Sequence, residues 1–340
     1  MTVYVQIGDY NEITSKSSGN TNVQIQLNGG YFNSSNVRSG IAVTVGDDST
    51  AWFSGPTFSA TNLWIHFVAQ YADFFSYMTT PDAVHSNMRI MANGTQRFRL
   101  VHYSSTLIKL EQWTGSAWSV IGSFTDPFQN FQGRHTYDIH ATIGASATIT
   151  VYLDNTVIIA ATGIDTTFGG TVTAFDDVRF SQTGWADNRS SSQFSEILCT
   201  DWNTIGSKVV VRVPDANGNY AEWANGDYTV VDEATGGTDY ATSATADQRV
   251  DWSMGSFPAT TGAEIVANVK FTTSINRDTI GPQSANYYIR RNSTDYDGAD
   301  KSLNLLQTNT TESYTVDPAT SDVWTITNIN AATFGVRSRA

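Results

Sequence analysis

Cysteine is almost absent from this chain, since Cys199 is the only one among 340 residues. A single cysteine excludes an intrachain disulfide framework and any zinc site that is built from paired thiolates. Cys199 ends the run Glu196-Ile-Leu-Cys199, and a free cysteine beside apolar neighbours behaves as a small hydrophobe. We therefore predict a buried structural thiol.

Basic residues are also scarce, with 19 Lys and Arg against 32 Asp and Glu and a formal net charge of -13. Nucleic-acid binding depends on clustered Lys and Arg, so this balance predicts no nucleic-acid partner. No segment has membrane-spanning length, which predicts no membrane insertion. The first residues, MTVYVQIGDYNE, have neither the basic segment nor the apolar run of a signal peptide. This predicts a protein that is made in the cytoplasm and not exported by a cleaved signal.

Helical periodicity is missing as well. Only two short stretches, 59–62 and 124–131, are candidates for one helical turn each. Glutamate, a good helix former, occurs seven times, whereas the more abundant aspartate favours turns. Charged residues make up 15% of the chain and aromatic residues 12%, so Ser, Thr, Asn and Gln must cover much of the surface. The composition predicts an all-β protein.

The clearest strand signal lies between His135 and Ile159. Ile149, Val151 and Leu153 alternate with polar residues, as in a strand with one buried face. Asp154-Asn155 then predicts a two-residue hairpin turn, because both residues tolerate the left-handed backbone that such a turn requires. A ladder of such hairpins predicts an antiparallel sandwich.

Further strands are predicted along the first 200 residues. Leu63–Tyr71 has large side chains on both faces and predicts a central strand that is covered on both sides. Asn93-Gly94 predicts a hairpin turn. The alternating runs are Val3–Ile7, Val23–Leu27, Ile41–Val45, Met88–Met91, Arg97–Val101, Leu107–Trp113, Trp118–Phe124, Val172–Phe180 and Phe194–Cys199.

The pattern changes near residue 200, which predicts a domain at 1–202 and a smaller β-sandwich at 203–340. Asn217-Gly218 and Asn225-Gly226 predict turns there. The segment Asp232–Asp247 has few large apolar residues and predicts a long exposed loop. The strands predicted for this part are Val209–Val213, Ile265–Phe271, Tyr287–Arg291, Leu303–Gln307 and Val323–Ile326.

The succession from Arg97 to Cys199 resembles the concanavalin A-like, laminin G-like jelly-roll family. The resemblance rests on LIKLEQWTGSAWSVIGSF, on TYDIHATIGASATITVYLDNTVI, and on AFDDVRFS followed by FSEILCTDWNT. Members usually carry Asp-Gly where this chain has Asp154-Asn155, a change that the turn tolerates. The resemblance implies an N-terminal jelly-roll sandwich.

The C-terminal part resembles the corresponding region of tailed-phage virion proteins of unassigned role. The residues concerned are SANYYIRRNSTDYDG and DPATSDVWTITNINAATFGVRS. This resemblance implies location in a virion, other virion proteins as partners, and a homo-oligomer such as a trimer.

Catalytic carboxylates are not evident. Glycosidases on this jelly roll carry Glu-x-Asp-x-x-Glu on one strand, because the acid and the nucleophile must flank one bond from the same side. Glu111 and Glu196 lack such a partner. Asp176 and Asp177 are adjacent, so their side chains point to opposite faces of a strand. We predict no catalytic residue and no enzymatic activity.

The sequence also gives little evidence for a metal or cofactor site. Asp138 and His140 share one strand face, and we interpret them as a surface ion pair rather than an acid–base or metal site. Asp295-Tyr-Asp-Gly-Ala-Asp300 has the alternating carboxylates of a calcium ligand set, but its glycine and missing distal glutamate exclude an EF-hand. An acidic turn is the preferred interpretation, with calcium as the alternative and no other cofactor expected.

Glycan binding has no assigned residues at this level. Trp113, Trp118 and Trp185 adjoin predicted turns and are the tryptophans most expected at the surface. The leading hypothesis is a non-enzymatic structural protein of a tailed-phage virion: a capsid decoration, head fibre, or tail or fibre component. The alternatives are a lectin-like module that binds host-surface glycans and, third, a glycoside hydrolase.

Overall fold

The fold is described from a computed structural model of the chain. It describes residues 1–7, 13, 15–16, 22–26, 40–44, 50–72, 85–103, 106–125, 134–183, 191–232, 239–257 and 266–340. The chain divides into two compact units, Met1–Val211 and Arg212–Ala340. The sequence pattern predicts the boundary between the two domains after residue 202. In the structure the first unit continues to Val211, and Thr204 is buried in it with a hydrogen bond to Asp138.

The first unit consists of two antiparallel sheets. Its strands are β1 (Val3–Ile7), β2 (Ser15–Lys16), β3 (Asn22–Gln26), β4 (Gly40–Thr44), β5 (Thr50–Ser54), β6 (Asn62–Ala72), β7 (His85–Ala92), β8 (Thr95–His102), β9 (Leu107–Trp113), β10 (Trp118–Thr125), β11 (Arg134–Thr142), β12 (Ala147–Leu153), β13 (Thr156–Ile164), β14 (Asp177–Thr183) and β15 (Ser191–Thr200). The eight-stranded sheet has the order β13-β12-β11-β6-β15-β4-β3, with β1 paired to β15. The seven-stranded sheet has the order β10-β9-β8-β7-β14-β5-β2.

Strand β6 shows how the sandwich is held together. Leu63, Ile65 and Phe67 point into the core between the sheets and are fully buried. His66 and Val68 point to the opposite face and are also buried, which confirms the prediction of a central strand covered on both sides. The first unit is an antiparallel β-sandwich of the jelly-roll class, as the sequence predicted.

The hairpin ladder at 135–159 is also confirmed. It forms β11, β12 and β13, which pair in succession at one edge of the eight-stranded sheet. Asp154 and Asn155 adopt positive φ angles of 47° and 67°, the backbone that the turn requires. The Oδ1 of Asp154 also accepts a hydrogen bond from the backbone N–H of Thr136 at 2.9 Å, which ties the turn to β11.

Three predictions for residues 1–213 are wrong. The strand predicted at Val172–Phe180 begins only at Asp177, because the backbone N–H of Val172 donates to the carbonyl of Thr167 inside a loop. Residues 59–62 form no helical turn, since Ala60 bridges to Phe175 and β6 starts at Asn62. Residues 209–213 are not a strand, although Val209 and Val213 are buried. Most of the candidate turn at 124–131 lies outside the described residues.

The second unit is a smaller sandwich of a five-stranded and a two-stranded sheet. Its strands are β16 (Pro214–Ala221), β17 (Arg249–Met254), β18 (Val269–Ile275), β19 (Ser284–Arg291), β20 (Thr294–Ser302), β21 (Thr308–Tyr314) and β22 (Thr333–Arg339), with one short helix, α1 (Ile326–Asn330), and a 3-10 turn at Tyr228–Val230. The five-stranded sheet has the order β16-β17-β22-β19-β20, and β18 pairs with β21. Trp252, Phe271, Tyr287 and Trp324 lie in its core.

The second unit departs from the predicted strands at two places. Residues 303–307 are a loop in which Leu305 and Leu306 are exposed, and the strand follows at β21. Residues 323–326 lead into α1, because the side chain of Thr325 accepts a hydrogen bond from the backbone N–H of Asn328 and caps the helix.

The remaining predictions for this unit have mixed outcomes. Asn217-Gly218 lies within β16 and is no turn, whereas Asn225 adopts a positive φ of 54° at a turn. The strand predicted from Ile265 starts at Val269, and Ile265 itself lies outside the described residues. Of the predicted loop at 232–247, residues 239–247 form no named strand, and 233–238 also lie outside. In the part of the chain that is described, no helix has the length and hydropathy of a membrane span.

Candidate functional site

Three arginines stand side by side on the outer face of the seven-stranded sheet. Side chains alternate along each strand, and the neighbours of these arginines, such as Ile90 and Phe98, point into the core. Arg179 on β14 is in register with Arg89 on β7, and Arg89 is in register with Arg99 on β8. We call these three residues the arginine row.

The first unit concentrates its positive charge on this face. Of the eight Lys and Arg residues that the structure describes in this unit, five lie on the outer face of the seven-stranded sheet. These are the arginine row, Arg97 and Lys109. The concentration is notable in a chain with a net charge of -13.

A carboxylate fixes each end of the arginine row. The Nη2 of Arg99 lies 2.6 Å from the Oε2 of Glu111, and the Nε of Arg179 lies 2.9 Å from the Oδ2 of Asp177. These side chains are mostly shielded, with exposed fractions of 15% for Arg99 and 26% for Arg179.

Tryptophan rings orient the same two guanidiniums. The guanidinium of Arg179 lies 4.0 Å from the ring centre of Trp52, and that of Arg99 lies 4.2 Å from the ring centre of Trp118. Stacking on an aromatic ring and pairing with a carboxylate fix the plane of a guanidinium, which prepares it for bidentate hydrogen bonds. We call the arginine row with Trp52, Trp118, Glu111 and Asp177 the arginine face.

Burial perturbs the titration of this face. Burial, followed by the positive charges of Arg99 and Arg179, lowers the pKa of Arg89 to about 10. Burial also raises the pKa of Asp177, although the hydrogen bond from Arg179 opposes it. The charges therefore stand in a partly desolvated setting, where electrostatic attraction to a ligand is stronger than in bulk water.

The outer face of the eight-stranded sheet carries a buried polar cluster instead. The Nδ1 of His66 lies 2.9 Å from the Oδ1 of Asp138, which also accepts a 2.7 Å hydrogen bond from the Oγ1 of Thr204. All three residues are buried. The prediction of a surface ion pair between Asp138 and His140 is thus wrong, because Asp138 pairs with His66 on the neighbouring strand.

His140 has a different environment. Its Nε2 lies 2.8 Å from the Oδ1 of Asn62, and its ring stacks on Trp64 with centroids 4.4 Å apart. Burial lowers the pKa of His140 below its ordinary value, which favours the neutral ring. These contacts are those of a packed side chain.

The carboxylates that the sequence singled out have structural partners. Glu111 binds Arg99, and Glu196 accepts a 2.7 Å hydrogen bond from the Nη2 of Arg134. The Oδ2 of Asp176 accepts from the backbone N–H of Gly94 at 3.2 Å. Cys199 is buried, as predicted.

The acidic run Asp295–Asp300 lies along β20, so the prediction of an acidic turn is wrong. The actual turn is Asn292-Ser293, where both residues have positive φ. The carboxylates of the run face arginines of the same sheet: Asp295 lies 2.7 Å from Arg249 and 2.5 Å from Arg290, Asp297 lies 3.0 Å from Arg337, and Asp300 lies 3.1 Å from Arg339. Among the described residues, no group of three or more His, Cys, Asp and Glu side chains is arranged to hold a metal ion.

Two of the three tryptophans that are predicted near the surface lie in the part of the chain that the structure describes. Trp113 and Trp118 were expected near the surface, and both are half-buried with ring centroids 5.3 Å apart. Trp185 lies outside the described residues.

The arginine row is not identified in the sequence analysis. The sequence signal for it is an arginine between two apolar residues on three strands, in Met88-Arg-Ile, Phe98-Arg-Leu and Val178-Arg-Phe. Only the strand order makes these three arginines neighbours.

Several solved structures are similar to part of this chain at low sequence identity. They include the botulinum neurotoxin type G receptor binding domain (9% identity, TM-score 0.39, 57% of this chain and 43% of that one) and the cellulose-induced protein Cip1 (11%, 0.40, 57% and 93%). They also include the metal-free carbohydrate recognition domain of Emp46p (10%, 0.41, 58% and 96%) and the endo-beta-1,4-glucuronan lyase of the fungus Trichoderma reesei (8%, 0.43, 60% and 98%).

This chain spans less than half of the neurotoxin domain. Likeness at these levels gives no information on what this chain binds. No family model matches the chain. No curated protein matches it either.

Proposed function

We propose that the first unit is a non-catalytic carbohydrate-binding module and that the arginine face is its binding surface. The observation that carries the proposal is the arginine row, with its outer guanidiniums oriented by Trp52 and Trp118 on the outer face of a jelly-roll sandwich. Guanidiniums offer several N–H donors to sugar oxygens, and indole rings supply apolar contact to sugar rings.

The positions of the two carboxylates favour binding over hydrolysis. Glu111 lies on β9 and Asp177 on β14, with β8 and β7 between them. Adjacent strands are about 4.8 Å apart, so the two backbones are separated by about 14 Å across the sheet. Glycosidase carboxylates stand about 5–10 Å apart. Each carboxylate is also ion-paired to an arginine, so neither is placed for a role shared with the other.

A glycan array with the whole protein tests this function. We expect binding to at least one class of glycan, with and without calcium. The expected loss of binding in Arg99→Gln is about tenfold, because one charge-assisted interaction is removed. Lys208→Gln is the matched control, because Lys208 is an exposed basic residue of the first unit outside the arginine face. Absence of binding to every glycan, or release of reducing or unsaturated sugars, would contradict the proposal.

A structural role in a tailed-phage virion is the second candidate. The observation that favours it is the C-terminal sequence SANYYIRRNSTDYDG, which resembles virion proteins. The two roles are compatible, since a virion protein can carry a glycan-binding module. Mass spectrometry of washed particles should find this chain, and analytical ultracentrifugation should find a homo-oligomer such as a trimer. A chain that is absent from intact particles would refute this role.

A further inference from the structure

One side of the first unit is bounded by the terminal strands of both sheets. Strand β13 is the last strand of the eight-stranded sheet, and β10 is the last strand of the seven-stranded sheet. The two strands lie side by side, so closely that the side chain of Ile159 on β13 leaves no room for a Cβ at Gly122 on β10. We call β10 and β13 the open side of the sandwich.

The backbone of β13 has a strand partner on one side. Its residues pair with β12, in a register that joins Ala160 to Thr150 and Thr162 to Thr148. Among the described strands, none pairs with its other side. About half of its N–H and C=O groups therefore face away from the sheet, and such a row is a template for a further strand.

The open side carries no charge. Neither β13 (TVIIAATGI) nor β10 (WSVIGSFT) contains Asp, Glu, Lys, Arg or Pro. Proteins place charged residues and proline on edge strands to prevent pairing with other chains. The five-stranded sheet of the second unit follows this rule, because β16 contains Pro214 and Asp215 and β20 contains three aspartates and Lys301. Those two edges are blocked, whereas the open side is not.

We infer that the open side binds a second copy of this chain, with β13 of one copy antiparallel to β13 of the other. A two-fold axis relates the two copies, so the same surface contributes from each. The two eight-stranded sheets join into one, and both cores stay on the same side of it. Ala160 is the middle residue of β13, and the axis passes near it.

Charge and surface composition select a second copy as the partner. Two chains with a net charge of -13 repel each other, so contact between copies is favoured where no carboxylate meets another carboxylate. The exposed residues of β13 include Val157, Ala160 and Thr162, none of which repels its own copy. Val157 and Val120 are 51% and 49% exposed, and a contact on this side removes apolar surface from water. A charged partner would find no complementary group on these strands.

The pairing has a consequence for the proposed function, and only this consequence rests on that function. The arginine face lies on the outer face of the sheet that is not joined. A two-fold axis perpendicular to the sheets therefore points both arginine faces in the same direction. Two copies can then attach to one surface at two points, which raises avidity without any new contact to the ligand.

Sedimentation equilibrium of the whole protein measures the contact. We expect a dimer that dissociates on dilution. Ala160→Lys brings two lysines together near the axis and should raise the dissociation constant at least about tenfold. Ala216→Lys is the matched control, because Ala216 is an exposed alanine of the edge strand β16 and the change of charge is the same. This control should leave the dissociation constant unchanged.

Mixed variants test whether Ala160 meets its own copy. Ala160→Glu should also weaken the dimer when it is studied alone. An equimolar mixture of Ala160→Lys and Ala160→Glu should associate more tightly than either variant, because a lysine then faces a glutamate. Ala160 is exposed, so neither substitution should unfold the chain, and urea denaturation of each variant checks this. Loss of folding cannot produce the recovery in the mixture.

Each contrary outcome is distinct. A chain that stays monomeric would overturn the inference, and so would a dimer that Ala216→Lys weakens as much as Ala160→Lys. A mixture that associates no better than its components would overturn the two-fold pairing at Ala160. A trimer that Ala160→Lys leaves intact would overturn pairing through β13 and leave the virion role in place. Glycan binding is measured separately, so failure of the proposed function would not alter these results.

Discussion

The imidazole Nδ1 of His66 lies 2.9 Å from the Oδ1 of Asp138, and both side chains are buried on the outer face of the eight-stranded sheet. Thr204, from the segment after β15, donates a hydrogen bond to the same carboxylate oxygen at 2.7 Å. The contact ties the segment that follows the last strand to the centre of the sheet. Residues that follow position 202 therefore help to stabilise the first unit.

Thr204→Val should destabilise the first unit. The substitution retains the shape of the side chain but removes the donor to a buried carboxylate, which costs about 1–3 kcal/mol. Urea denaturation of the whole protein measures the change. Thr162→Val, at an exposed position of β13, is the control and should change the free energy of unfolding by less than about 0.5 kcal/mol. Equal effects of the two substitutions would contradict the role of Thr204.

Asn155→Ala should weaken the hairpin between β12 and β13. Asn155 has a φ of 67°, a left-handed conformation that costs alanine about 1 kcal/mol more than glycine. Asn155→Gly should therefore be at least as stable as the parent, whereas Asn155→Ala loses about 1 kcal/mol in chemical denaturation. A glycine variant that is less stable than the alanine variant would rule out this account of the turn.

Gly335→Ala should destabilise the second unit. A Cβ at Gly335 would lie 2.3 Å from the Cζ of Tyr288 on the adjacent strand, well inside van der Waals contact. Overpacking of this kind costs about 1–3 kcal/mol. In a double-mutant cycle with Tyr288→Ala, the combined loss should be smaller than the sum of the single losses, because the tyrosine ring is the obstacle. Strict additivity would show that the strain arises elsewhere.

Arg89→Gln should not lower the stability of the first unit, although it removes a charged residue of the arginine row. Burial and the two neighbouring arginines lower the pKa of Arg89 to about 10. Because this folded-state pKa lies below the ordinary value, the charged form is disfavoured by folding, and its cost is present at neutral pH. The cost disappears as the pH rises above about 10. Denaturation at pH 7 should show equal or greater stability than the parent; a loss of more than about 1 kcal/mol would contradict this.

Cys199 should react slowly with thiol reagents in the native protein. The thiol is buried, and burial, assisted by the negative charge of Asp177, raises its pKa above the usual range. Because the folded state retains the proton longer than the unfolded state, this residue contributes a loss of stability as the pH rises above the ordinary thiol pKa. Labelling at pH 8 should accelerate strongly in urea. Rapid labelling of the native protein would contradict burial.

Strand periodicity alone was sufficient for many elements. The alternation in β12 and the turn at Asp154-Asn155 are local properties, because a strand has a period of two and the turn needs two residues that tolerate positive φ. The strands predicted at residues 303–307 and 323–326 are wrong, because a short apolar run is compatible with a strand, a loop or the start of a helix. Leu305 and Leu306 are exposed in a loop, and Ile326 starts a helix that is capped by Thr325.

The candidate site could not be predicted from the sequence, because strand register decides which side chains are neighbours. Asp138 was paired with His140 because they are close in sequence, yet the register of β11 with β6 places it beside His66. Sequence proximity likewise groups the aspartates of β20, whereas in the structure each of them pairs with arginines from β17, β19 or β22.

The sequence by itself determined the all-β class, the first hairpins, the buried thiol and the acidic character of this protein, because periodicity, turn chemistry and charge act over a few residues. Only the tertiary structure decided that Arg179, Arg89 and Arg99 stand in one line. Arg89 and Arg99 are paired across the hairpin of β7 and β8, and hydrogen bonding between the non-consecutive strands β7 and β14 places Arg179 beside Arg89, ninety residues away along the chain. Strand order is a property of the whole sandwich, and the arginine row exists only once that order has formed.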